Sequence, residues 1–295
     1  MKKTRGAPPG RGTMDLSICI VNWNTRDLLR ACLESIDRAR DGLDVQIVVV
    51  DNASADGSAD MVAEEFPHVD LVRNTENRYY AAANNQALTI ARAPLKLLLN
   101  SDIEVPPGGL RGLVSWMEKR PKAGAVAPRL VYPDGRPQKS CRSFPDPDTV
   151  LWEVTGLSRL FPRSKVFGKW RMTWWGYDED RPVPQPMASA LLVRDVALAQ
   201  VGLFDEQFPM FFNDVDLCRR LWNAGWEVWF TPSVSMVHHH GGSTRLVRRA
   251  MLVESGRSFV DYYRKHYRGR IPWLVYAVTV ALIRAAYAVR LLGAR

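Results

Sequence analysis

The sequence predicts an α/β protein in which helices flank a mostly parallel, doubly wound sheet. Three observations lead to this fold class. Apolar, β-prone runs alternate with segments of helical periodicity between residues 16 and 127. The connections between them are short, as they are in right-handed βαβ units. The runs are also apolar throughout, which is typical of strands that a parallel sheet buries on both faces.

Four of these runs give the first strands in chain order. The predicted strands cover residues 16–21, 45–50, 69–72 and 97–99. A helix is predicted after each of the first three strands, and the third of these helices extends from about Ala81 to Ala91. A further short strand is predicted at residues 124–127.

Residues 128–186 interrupt the regular alternation. They are rich in Pro, Trp and Arg and show little periodicity. Because long irregular segments of compact domains are usually functional or disordered, we predict a turn and then a partly helical, mobile segment over the ligand site. Its aromatic side chains either stack on a bound ligand or pack on the domain. Further strands are predicted at residues 187–193, 227–230 and 234–237.

The composition favours an anionic partner and a reducing compartment. The net charge is +9 at pH 7, which favours nucleic acid, an acidic membrane or a phosphate-bearing ligand. Much of the basic excess lies at the termini, which argues against nucleic acid. The four cysteines form no CxxC motif, so a disulfide framework or a zinc-cysteine site is not expected. The basic residues 1–13 lack the apolar core of a signal peptide and are predicted to form a disordered tail.

Polar side chains follow each of the first four predicted strands. They are Asn22, Asn24, Asp51, Asn52, Arg73, Asn77, Asn100 and Asp102. Since open α/β sheets bind their ligands at the carboxyl edge, this pattern predicts a ligand crevice there. The sequence contains neither GxGxxG nor the Gly-Lys-Ser/Thr of a phosphate-binding loop, which argues against a nicotinamide-binding domain and a P-loop kinase.

Two carboxylates, Asp214 and Asp216, stand where an aromatic run ends and a helix is predicted to begin. An Asp at a helix amino terminus is favoured by the open N–H groups and the macrodipole. One of the two is therefore predicted to be a cap, and the other has no obvious structural need.

Three adjacent histidines, His238, His239 and His240, follow the last predicted strand. In a strand, His238 and His240 would share one face and His239 would lie on the other. An oxygen-rich site completed by one imidazole would suit Mn²⁺ or Mg²⁺ rather than zinc. A solvated turn is the alternative.

Eight short motifs occur in an order that matches a known family. They lie at residues 18–25, 51–58, 73–74, 82–85, 98–102, 204–206, 213–217 and 238–243. Together they resemble an inverting family 2 glycosyltransferase of the GT-A fold, a Rossmann-like, mostly parallel sheet flanked by helices. The nearest resemblance is to the bacterial rhamnosyltransferase-like branch that builds surface polysaccharides. It covers about residues 16–245.

The resemblance implies roles for individual residues. Asp102 is implied to bind a divalent metal, Mg²⁺ or Mn²⁺, and the sugar diphosphate, with His238 or His239 near the metal. Asp214 is implied to be the general base. Asp51 is implied to hydrogen-bond the nucleotide base, and Arg73 to contact the diphosphate or the base. The other predicted substrate contacts are Val21, Asn22, Asn24, Ser54, Asn77, Asn84, Asn100, Ser101, Ser189 and Asp216.

The chain departs from the family pattern at four places. Residues 100–102 read Asn-Ser-Asp where Asn-Pro-Asp is usual, residues 78–80 read Arg-Tyr-Tyr in place of Leu-Gly-Phe, and residues 188–190 read Ala-Ser-Ala in place of Ser-Gly-Ala. Asn213 stands where Glu often precedes the base. The single carboxylate, Asp102, implies a metal site that needs other ligands. It also supports the alternative of a catalytically inactive sugar-nucleotide or glycan-binding protein.

The implied activity is transfer of a sugar, with inversion, from a nucleotide-diphosphate sugar to a hydroxyl of a saccharide or lipid-linked acceptor. dTDP-rhamnose is the favoured donor. We expect a glycosyltransferase domain at residues 14–245, with a nucleotide-binding half at 14–127 and an acceptor-side half at 128–245. Residues 246–295 are expected to form a basic and apolar helical extension.

The carboxyl-terminal run at residues 271–289 is apolar apart from Thr279 and Arg284. Its length approaches the ~20 residues that a spanning helix needs, but Arg284 is costly inside a bilayer. The sequence therefore favours a helix that lies in or docks on an anionic membrane surface, at the inner face of the cytoplasmic membrane. A core helix or an oligomer helix is the alternative, and the oligomeric state stays open.

Overall fold

The computed structural model describes residues 14–239 and 248–293. The strands are β1 (Leu16–Asn22), β2 (Val45–Asp51), β3 (Asp70–Arg73), β4 (Leu95–Asn100), β5 (Ile103–Glu104), β6 (Ala123–Val131), β7 (Cys141–Arg142), β8 (Arg181–Pro182), β9 (Gln185–Pro186), β10 (Ala190–Arg194) and β11 (Glu227–His238). The helices are α1 (Arg26–Arg38), α2 (Ser58–Glu65), α3 (Tyr79–Ile90), α4 (Gly109–Glu118), α5 (Pro147–Thr155), α6 (Leu157–Leu160), α7 (Asp195–Val201), α8 (Asn213–Asn223), α9 (Arg248–His266) and α10 (Trp273–Leu292).

The central sheet has the order β3-β2-β1-β4-β10-β6-β11-β5, and β8 pairs with β11. Strands β3, β2, β1 and β4 run parallel, and so do β6 and β11. The predicted α/β fold with a mostly parallel sheet is confirmed. However, β10 lies antiparallel between β4 and β6, so the sheet is mixed rather than parallel throughout. An apolar run signals burial, and it carries no information about strand direction.

Each face of the sheet carries its own layer of apolar side chains. On one face Ile18 and Ile20 join the cluster that contains Leu29 and Leu33 of α1. On the other face Cys19 joins the cluster that contains Ala83 and Ala87 of α3, together with Leu217 of α8. Because successive residues of a strand point to opposite faces, a continuous apolar run is what a sheet covered on both sides requires.

The segment at residues 128–186 contains α5, α6 and three two-residue strands, so the predicted partly helical character is confirmed. Some of its aromatic side chains pack on the domain. Trp175 stacks on Tyr177 with 4.3 Å between ring centroids, and both rings meet Phe230 of β11. For this buried cluster, packing on the domain is the alternative that the structure supports.

The carboxyl-terminal helices are joined to the domain by a third apolar cluster. Phe259, Tyr262 and Tyr263 of α9 are buried together with Phe208, which precedes α8, and Val215, which lies in the first turn of α8. Helix α10 packs on α9 and on α5. By length and composition alone, α10 is also long and apolar enough to cross a membrane.

Candidate active site

The carboxyl ends of β1, β2 and β4 are tied together by a buried network of polar side chains. Asn22 Nδ2 donates to Asp51 Oδ1 at 3.0 Å and to Ser54 Oγ at 3.2 Å. Thr25 Oγ1 donates to Asn22 Oδ1 at 2.6 Å and lies 2.8 Å from Ser101 Oγ. These contacts bring five residues from three strand ends into one cluster, as expected of a crevice at this edge.

Asp51 holds the loop after β2 in place. Its Oδ2 accepts a hydrogen bond from the backbone N–H of Ser54 at 2.9 Å, and its side chain is almost fully buried. The N–H of Asn24 donates to Ser54 Oγ at 2.9 Å, while Asn24 Oδ1 accepts from the N–H of Ala55 at 2.8 Å. Both carboxylate oxygens of Asp51 therefore already accept bonds from the protein, and its contact with a nucleotide base stays a prediction.

A cavity of about 420 Å³ adjoins this network, and Asn24, Thr25, Arg26 and Asp56 are among the residues that line it. The Arg26 N–H donates to Asp56 Oδ2 at 2.9 Å across the cavity wall. Thr25 stands at the N-cap position of α1, but its side chain makes no cap hydrogen bond and contacts Asn22 instead. The cavity is thus bounded by the loops that follow β1 and β2.

Three predicted substrate contacts are engaged elsewhere in the protein. The guanidinium of Arg73 donates to Asp60 Oδ1 at 2.6 Å and to the carbonyl of Ala59 at 3.1 Å, so it lies against α2. Asn77 Oδ1 accepts the N–H of Tyr79 at 2.8 Å. Asn84 is buried in α3 and donates to the carbonyl of Tyr80 at 2.9 Å. A substrate contact by Arg73 would have to use the N–H groups that these two bonds leave over, and it stays a prediction.

Several residues near the network adopt the left-handed conformation although they are not glycine. They are Asn24 (φ 52°), Ala53 (φ 60°), Tyr79 (φ 60°) and Phe212 (φ 66°). Such outliers persist only where the surrounding structure enforces them, and they cluster at functional sites. Tyr79 occupies the position at which the family pattern has Gly, and its carbonyl accepts a hydrogen bond from Asn52 Nδ2 at 3.0 Å.

We expect Tyr79→Gly to raise the free energy of unfolding by ~1 kcal/mol, because glycine adopts a positive φ without the steric cost of a Cβ. Tyr79 is 49% exposed, so the substitution also removes some packing of the ring. Urea unfolding measures the change. Tyr79→Ala is the control, since it removes the ring and keeps the backbone strain. A glycine variant no more stable than the alanine variant would contradict the assignment of strain to this backbone.

Asp102 and His238 form the pair most suited to a divalent metal. His238 Nε2 lies 3.3 Å from Asp102 Oδ1, and both side chains are largely buried. His239 follows the last residue of β11, and its Nε2 is 2.6 Å from Glu104 Oε1. Successive residues of an extended chain point to opposite sides, so His238 and His239 contact different carboxylates. The third histidine, His240, falls outside the described residues.

Gln138 fixes the tautomer of His238. The Gln138 Nε2 donates to the His238 carbonyl at 2.8 Å, so its Oε1, 2.8 Å from His238 Nδ1, accepts the Nδ1 proton. In the neutral imidazole, the lone pair of Nε2 then points toward Asp102. Either a proton on Nε2 or a bound metal ion would offset the repulsion between this lone pair and the carboxylate 3.3 Å away. Such orientation through the other ring nitrogen is what metal-binding histidines typically have.

The residues present fit a divalent ion that has few protein ligands. Adjacent ligands around an octahedral Mg²⁺ at ~2.1 Å are about 3 Å apart, and the Oδ1–Nε2 distance is 3.3 Å. Within residues 14–239 and 248–293, no group of three or more His, Cys, Asp or Glu side chains forms a complete metal cage. Asp102 and His238 would therefore hold the ion together with a bound diphosphate and water.

Asp214 is the second residue of α8 and follows Asn213. Its Oδ1 accepts the N–H of Val215 at 2.8 Å and its Oδ2 accepts the N–H of Ala188 at 3.4 Å. In the described part of the chain, no cationic side chain lies within ion-pair distance of it. Burial raises the pKa of Asp214 above its ordinary value. A carboxylate that is removed from water and left without a cation suits proton transfer.

The register of β10 brings Asp214 to the strand edge that carries Asp102. Ala190 pairs with Leu99 of β4, and the Asn100 N–H donates to the carbonyl of Ser189 at 2.8 Å. Ala188, which donates to Asp214, therefore lies just beyond the carboxyl end of β4. The hydroxyl of Tyr80 donates to the Ala188 carbonyl at 2.8 Å and fixes this turn. In β1, Val21 lies opposite Asn100 of β4.

Asp216 is placed differently from Asp214. It is fully buried, and its oxygens accept from Arg220 Nε at 2.8 Å, Lys265 Nζ at 2.6 Å and His266 Nε2 at 2.7 Å. Hydrogen bonds and ion pairs with these groups outweigh desolvation and lower the pKa of Asp216 to about 2. The structure thus places Asp216 at the junction of α8 and α9, where its carboxylate is enclosed by cationic side chains.

Two further residues of the site, Gln138 and Tyr80, were not predicted as contacts. Gln138 lies in the irregular segment, 100 residues from His238 in sequence, and no local pattern marks it. Tyr80 replaces the Phe of the family pattern, and that replacement alone does not predict the bond from its hydroxyl to the Ala188 carbonyl. Both act through long-range contacts, which a local pattern does not encode.

Sequence comparison identifies relatives of the chain. The model of the family described as glycosyl transferase family 2 matches residues 17–172. The N-acetylglucosaminyl-diphospho-decaprenol L-rhamnosyltransferase of Mycobacterium tuberculosis is 31% identical over 242 residues, which are 78% of this chain and 77% of that protein. The O-antigen biosynthesis protein RfbC of Myxococcus xanthus is 30% identical over 278 residues, which are 90% of this chain but 20% of that protein.

Solved structures of glycosyltransferases share the fold. Mannosyltransferase PcManGT from Pyrobaculum calidifontis, in complex with GDP-Man and Mn²⁺, has a TM-score of 0.57 at 20% identity and covers 100% of this chain and 79% of its own. GalNAc-T7, with UDP, GalNAc and Mn²⁺, has a TM-score of 0.56 at 15% identity and covers 77% of this chain and 44% of its own. The family model matches more than half of the sequence, and the motifs of the family lie at the strand-edge site. The chain therefore belongs to glycosyl transferase family 2, with the GT-A fold.

Proposed function

We propose that the protein transfers a sugar from a nucleotide-diphosphate sugar to a hydroxyl of a saccharide or lipid-linked acceptor, with inversion at the anomeric carbon. One observation carries the proposal. The Asp102–His238 pair, oriented by Gln138, lies at the strand edge that also carries Asp214. Such an arrangement offers a metal and diphosphate side and a base side along one edge of the sheet, which suits a displacement by a hydroxyl.

The preferred donor in this proposal is dTDP-rhamnose. Support comes from the Mycobacterium tuberculosis relative, whose name makes it an L-rhamnosyltransferase acting on a diphospho-decaprenol acceptor. The same name supports a lipid-linked acceptor. With the O-antigen relative, it also supports a role in cell-surface polysaccharide biosynthesis. The exposed apolar helix α10 supports a location of the protein at the inner face of the cytoplasmic membrane.

The reaction requires a base for the attacking hydroxyl. In the proposed mechanism Asp214 takes the proton of the acceptor hydroxyl as it attacks the anomeric carbon. The N–H of Ala188 holds one oxygen of Asp214, and the hydroxyl of Tyr80 holds the Ala188 carbonyl. The carboxylate is thereby oriented before the acceptor binds. A positioned base of this kind contributes ~10²–10⁴-fold to the rate.

The leaving diphosphate must be bound and its growing charge offset. Asp102 and His238 would hold Mg²⁺ or Mn²⁺, and such an ion, when bound, acts as a Lewis acid toward the leaving diphosphate. Gln138 keeps His238 in the tautomer that presents Nε2. Ser101, linked to Thr25, and the Asn22–Asp51–Ser54 cluster keep the strand ends at a fixed spacing around the donor.

The proposal is tested by titrating the purified chain with dTDP-rhamnose, UDP-sugars and GDP-sugars, with and without Mn²⁺ or Mg²⁺. We expect metal-dependent binding of one donor and release of its nucleoside diphosphate on addition of an acceptor, with an inverted product by NMR. Metal-dependent binding of a donor with neither transfer nor hydrolysis would instead support the inactive sugar-nucleotide-binding alternative. Absence of binding to any nucleotide sugar would contradict both.

A matched pair of variants tests the metal side of the site. Asp102→Ala is expected to abolish most of the Mn²⁺-dependent gain in donor affinity, because it removes the carboxylate that lies beside His238. Glu104→Ala is the control, since Glu104 contacts His239, which follows β11, and not His238. Calorimetry of nucleotide binding with and without Mn²⁺ measures both. Equal metal dependence in the two variants would contradict the assignment of Asp102.

A further inference from the structure

Helix α10 presents an uncharged apolar stripe on the side turned away from its packed face. At 3.6 residues per turn, Leu274, Val278, Ala281, Ala285, Val289 and Leu292 fall on one side of the helix. All six are exposed, Leu292 by 80% and Val289 by 68%. The buried face, formed by Thr279, Val280 and Ile283, lies roughly opposite. The stripe runs the length of the helix, which is unusual for a surface that meets only water.

Arg284 does not interrupt the stripe. It lines a groove of about 440 Å³ between α9 and α10. The apolar walls of the groove include Leu252, Val260 and Leu291. The carboxyl-terminal run is therefore amphipathic in its folded context, with its charge displaced to one edge. This geometry is that of a helix lying in an interface and not of one crossing it.

The groove carries an excess of positive charge. Arg257, Arg264 and Arg284 line it, and Asp261 is the one acidic residue among its lining residues. Asp261 pairs with Arg264 and, at 3.8 Å, with Arg257. Within the described residues, Arg284 has no carboxylate within ion-pair distance. Apolar walls with several guanidinium groups match an amphiphile whose anionic head is a phosphate, because arginine binds phosphate oxygens in a bidentate manner.

A second apolar surface is connected to α10. Helix α5 packs against α10, and the α5–α6 region exposes Leu151, Val154, Leu160 and Phe161, with Leu160 exposed by 68%. Trp273, at the start of α10, is 78% exposed, and tryptophan is favoured at the boundary between headgroups and acyl chains. The exposed apolar surface therefore extends beyond one helix.

We propose that the groove between α9 and α10 binds the headgroup phosphate of an anionic phospholipid while the stripe of α10 lies in the plane of the bilayer surface. The stripe contacts the acyl region, and Arg284 reaches the headgroup level from the edge of the helix. Arg257 and Arg264 add charge from α9. The site is separate from the Asp102–Asp214 crevice, and it does not depend on the proposed sugar transfer.

Vesicle flotation of the full chain tests the site. We expect strong binding to vesicles that contain phosphatidylglycerol and weak binding to phosphatidylcholine alone. Arg257→Glu combined with Arg284→Glu should lower the partition coefficient by about tenfold or more, since each basic residue near an anionic surface contributes roughly fivefold. The control combines Arg38→Glu with Arg92→Glu, which makes the same charge change at exposed arginines of the sheet domain. An equal loss in both double variants would mean that net charge alone drives binding, and would overturn the site.

Two further measurements separate other occupants. Inorganic phosphate at millimolar concentration should not raise the melting temperature of the wild type by more than it raises that of the Arg257→Glu/Arg284→Glu variant. A larger rise in the wild type would identify a site for free phosphate and overturn the lipid assignment.

A dimer in solution that Val278→Asp dissociates would identify the stripe as an interface between two copies, and would also overturn the proposal.

Depth measurements decide how α10 lies. The four native cysteines are all buried, so a single introduced cysteine accepts a spin label selectively. Labels at Leu274→Cys, Ala281→Cys and Leu292→Cys are expected at equal, shallow depth in anionic vesicles, and a label at Ala63→Cys on α2 should stay in water. Maximal depth at Ala281→Cys would mean that α10 crosses the bilayer, and would overturn the in-plane arrangement.

Discussion

Asp214→Asn is expected to lower the turnover number by ~10²–10⁴-fold while the affinity for the donor and the metal stays near that of the wild type. The amide cannot take a proton from the acceptor hydroxyl. It can still accept the hydrogen bond from the Ala188 N–H, which the structure gives to Asp214 Oδ2 at 3.4 Å. Steady-state transfer kinetics with the cognate donor measure the loss. Near-normal turnover would contradict the assignment of the base.

The environment of Asp214 adds a pH signature. Burial raises the pKa of Asp214, and a base acts only when it is deprotonated. The acid limb of the rate profile should therefore lie above the ~3.9 of an exposed Asp. The raised pKa also means that any stabilising effect of the protonated carboxyl is lost as pH rises through the pKa of the folded state. Asp214→Asn should remove this part of the pH dependence of stability.

A matched substitution separates chemistry from folding. Asp195 also lies in the first turn of a helix, α7, and pairs with Lys96 at 2.7 Å away from the crevice. Asp195→Asn should leave turnover unchanged. A loss of turnover as large as that of Asp214→Asn would indicate that any such change perturbs the sheet.

The sequence alone was sufficient to predict that the polar ends of β1, β2 and β4 meet at one edge of the sheet, and the ligand crevice there stays a prediction. Each strand ends in polar residues, and because parallel strands share a carboxyl edge, Asn22, Asp51 and Ser101 had to meet. The structure bears this out with contacts of 2.6–3.2 Å among these residues, Thr25 and Ser54. Residue spacing does not separate the roles of Asp214 and Asp216. Only the family resemblance implies that Asp214 is the base and that a histidine lies near the metal held by Asp102. Alternation in a strand then predicted that His238 and His239 would face opposite ways.

Other features depend on contacts that no local pattern encodes. The antiparallel direction of β10 is set by the path of residues 128–186, and an apolar strand reads the same in either direction. Gln138 belongs to that irregular path and reaches His238 only in the folded chain. Arg73 ends a strand as predicted, but β3 is the edge strand of the sheet, where the Asp60 carboxylate of α2 competes for its guanidinium.

Asp216→Asn is expected to lower the free energy of unfolding by ~3–5 kcal/mol, because it removes a buried carboxylate and leaves its cationic partners uncompensated. Asp216 Oδ1 accepts from Lys265 and His266 of α9, and Oδ2 accepts from Arg220 of α8. Loss of the carboxylate should therefore loosen the carboxyl-terminal helices from the helix that carries Asp214. Urea unfolding at neutral pH measures the change.

The pH dependence of this loss has a definite sign. The pKa of Asp216 is lowered to about 2 in the folded protein, against ~3.9 for an exposed Asp. The stabilising effect is therefore fully present above ~4 and is lost as pH falls toward the folded pKa. The difference in stability between the wild type and Asp216→Asn should shrink in the same interval, provided that both remain folded.

Asp205→Asn is the control for this prediction. Asp205 Oδ2 lies 2.7 Å from Lys265 Nζ, so Asp205 shares this lysine with Asp216. The Asp205 side chain is 31% exposed, and loss of its charge should therefore cost no more than ~1 kcal/mol. The two candidate roles of Asp216 then give opposite results. If Asp216→Asn matches the wild type in stability but loses affinity for a substrate, Asp216 is the substrate contact that the sequence predicts. If stability falls and donor affinity survives in the folded fraction, Asp216 is the residue that attaches α9 to the catalytic domain.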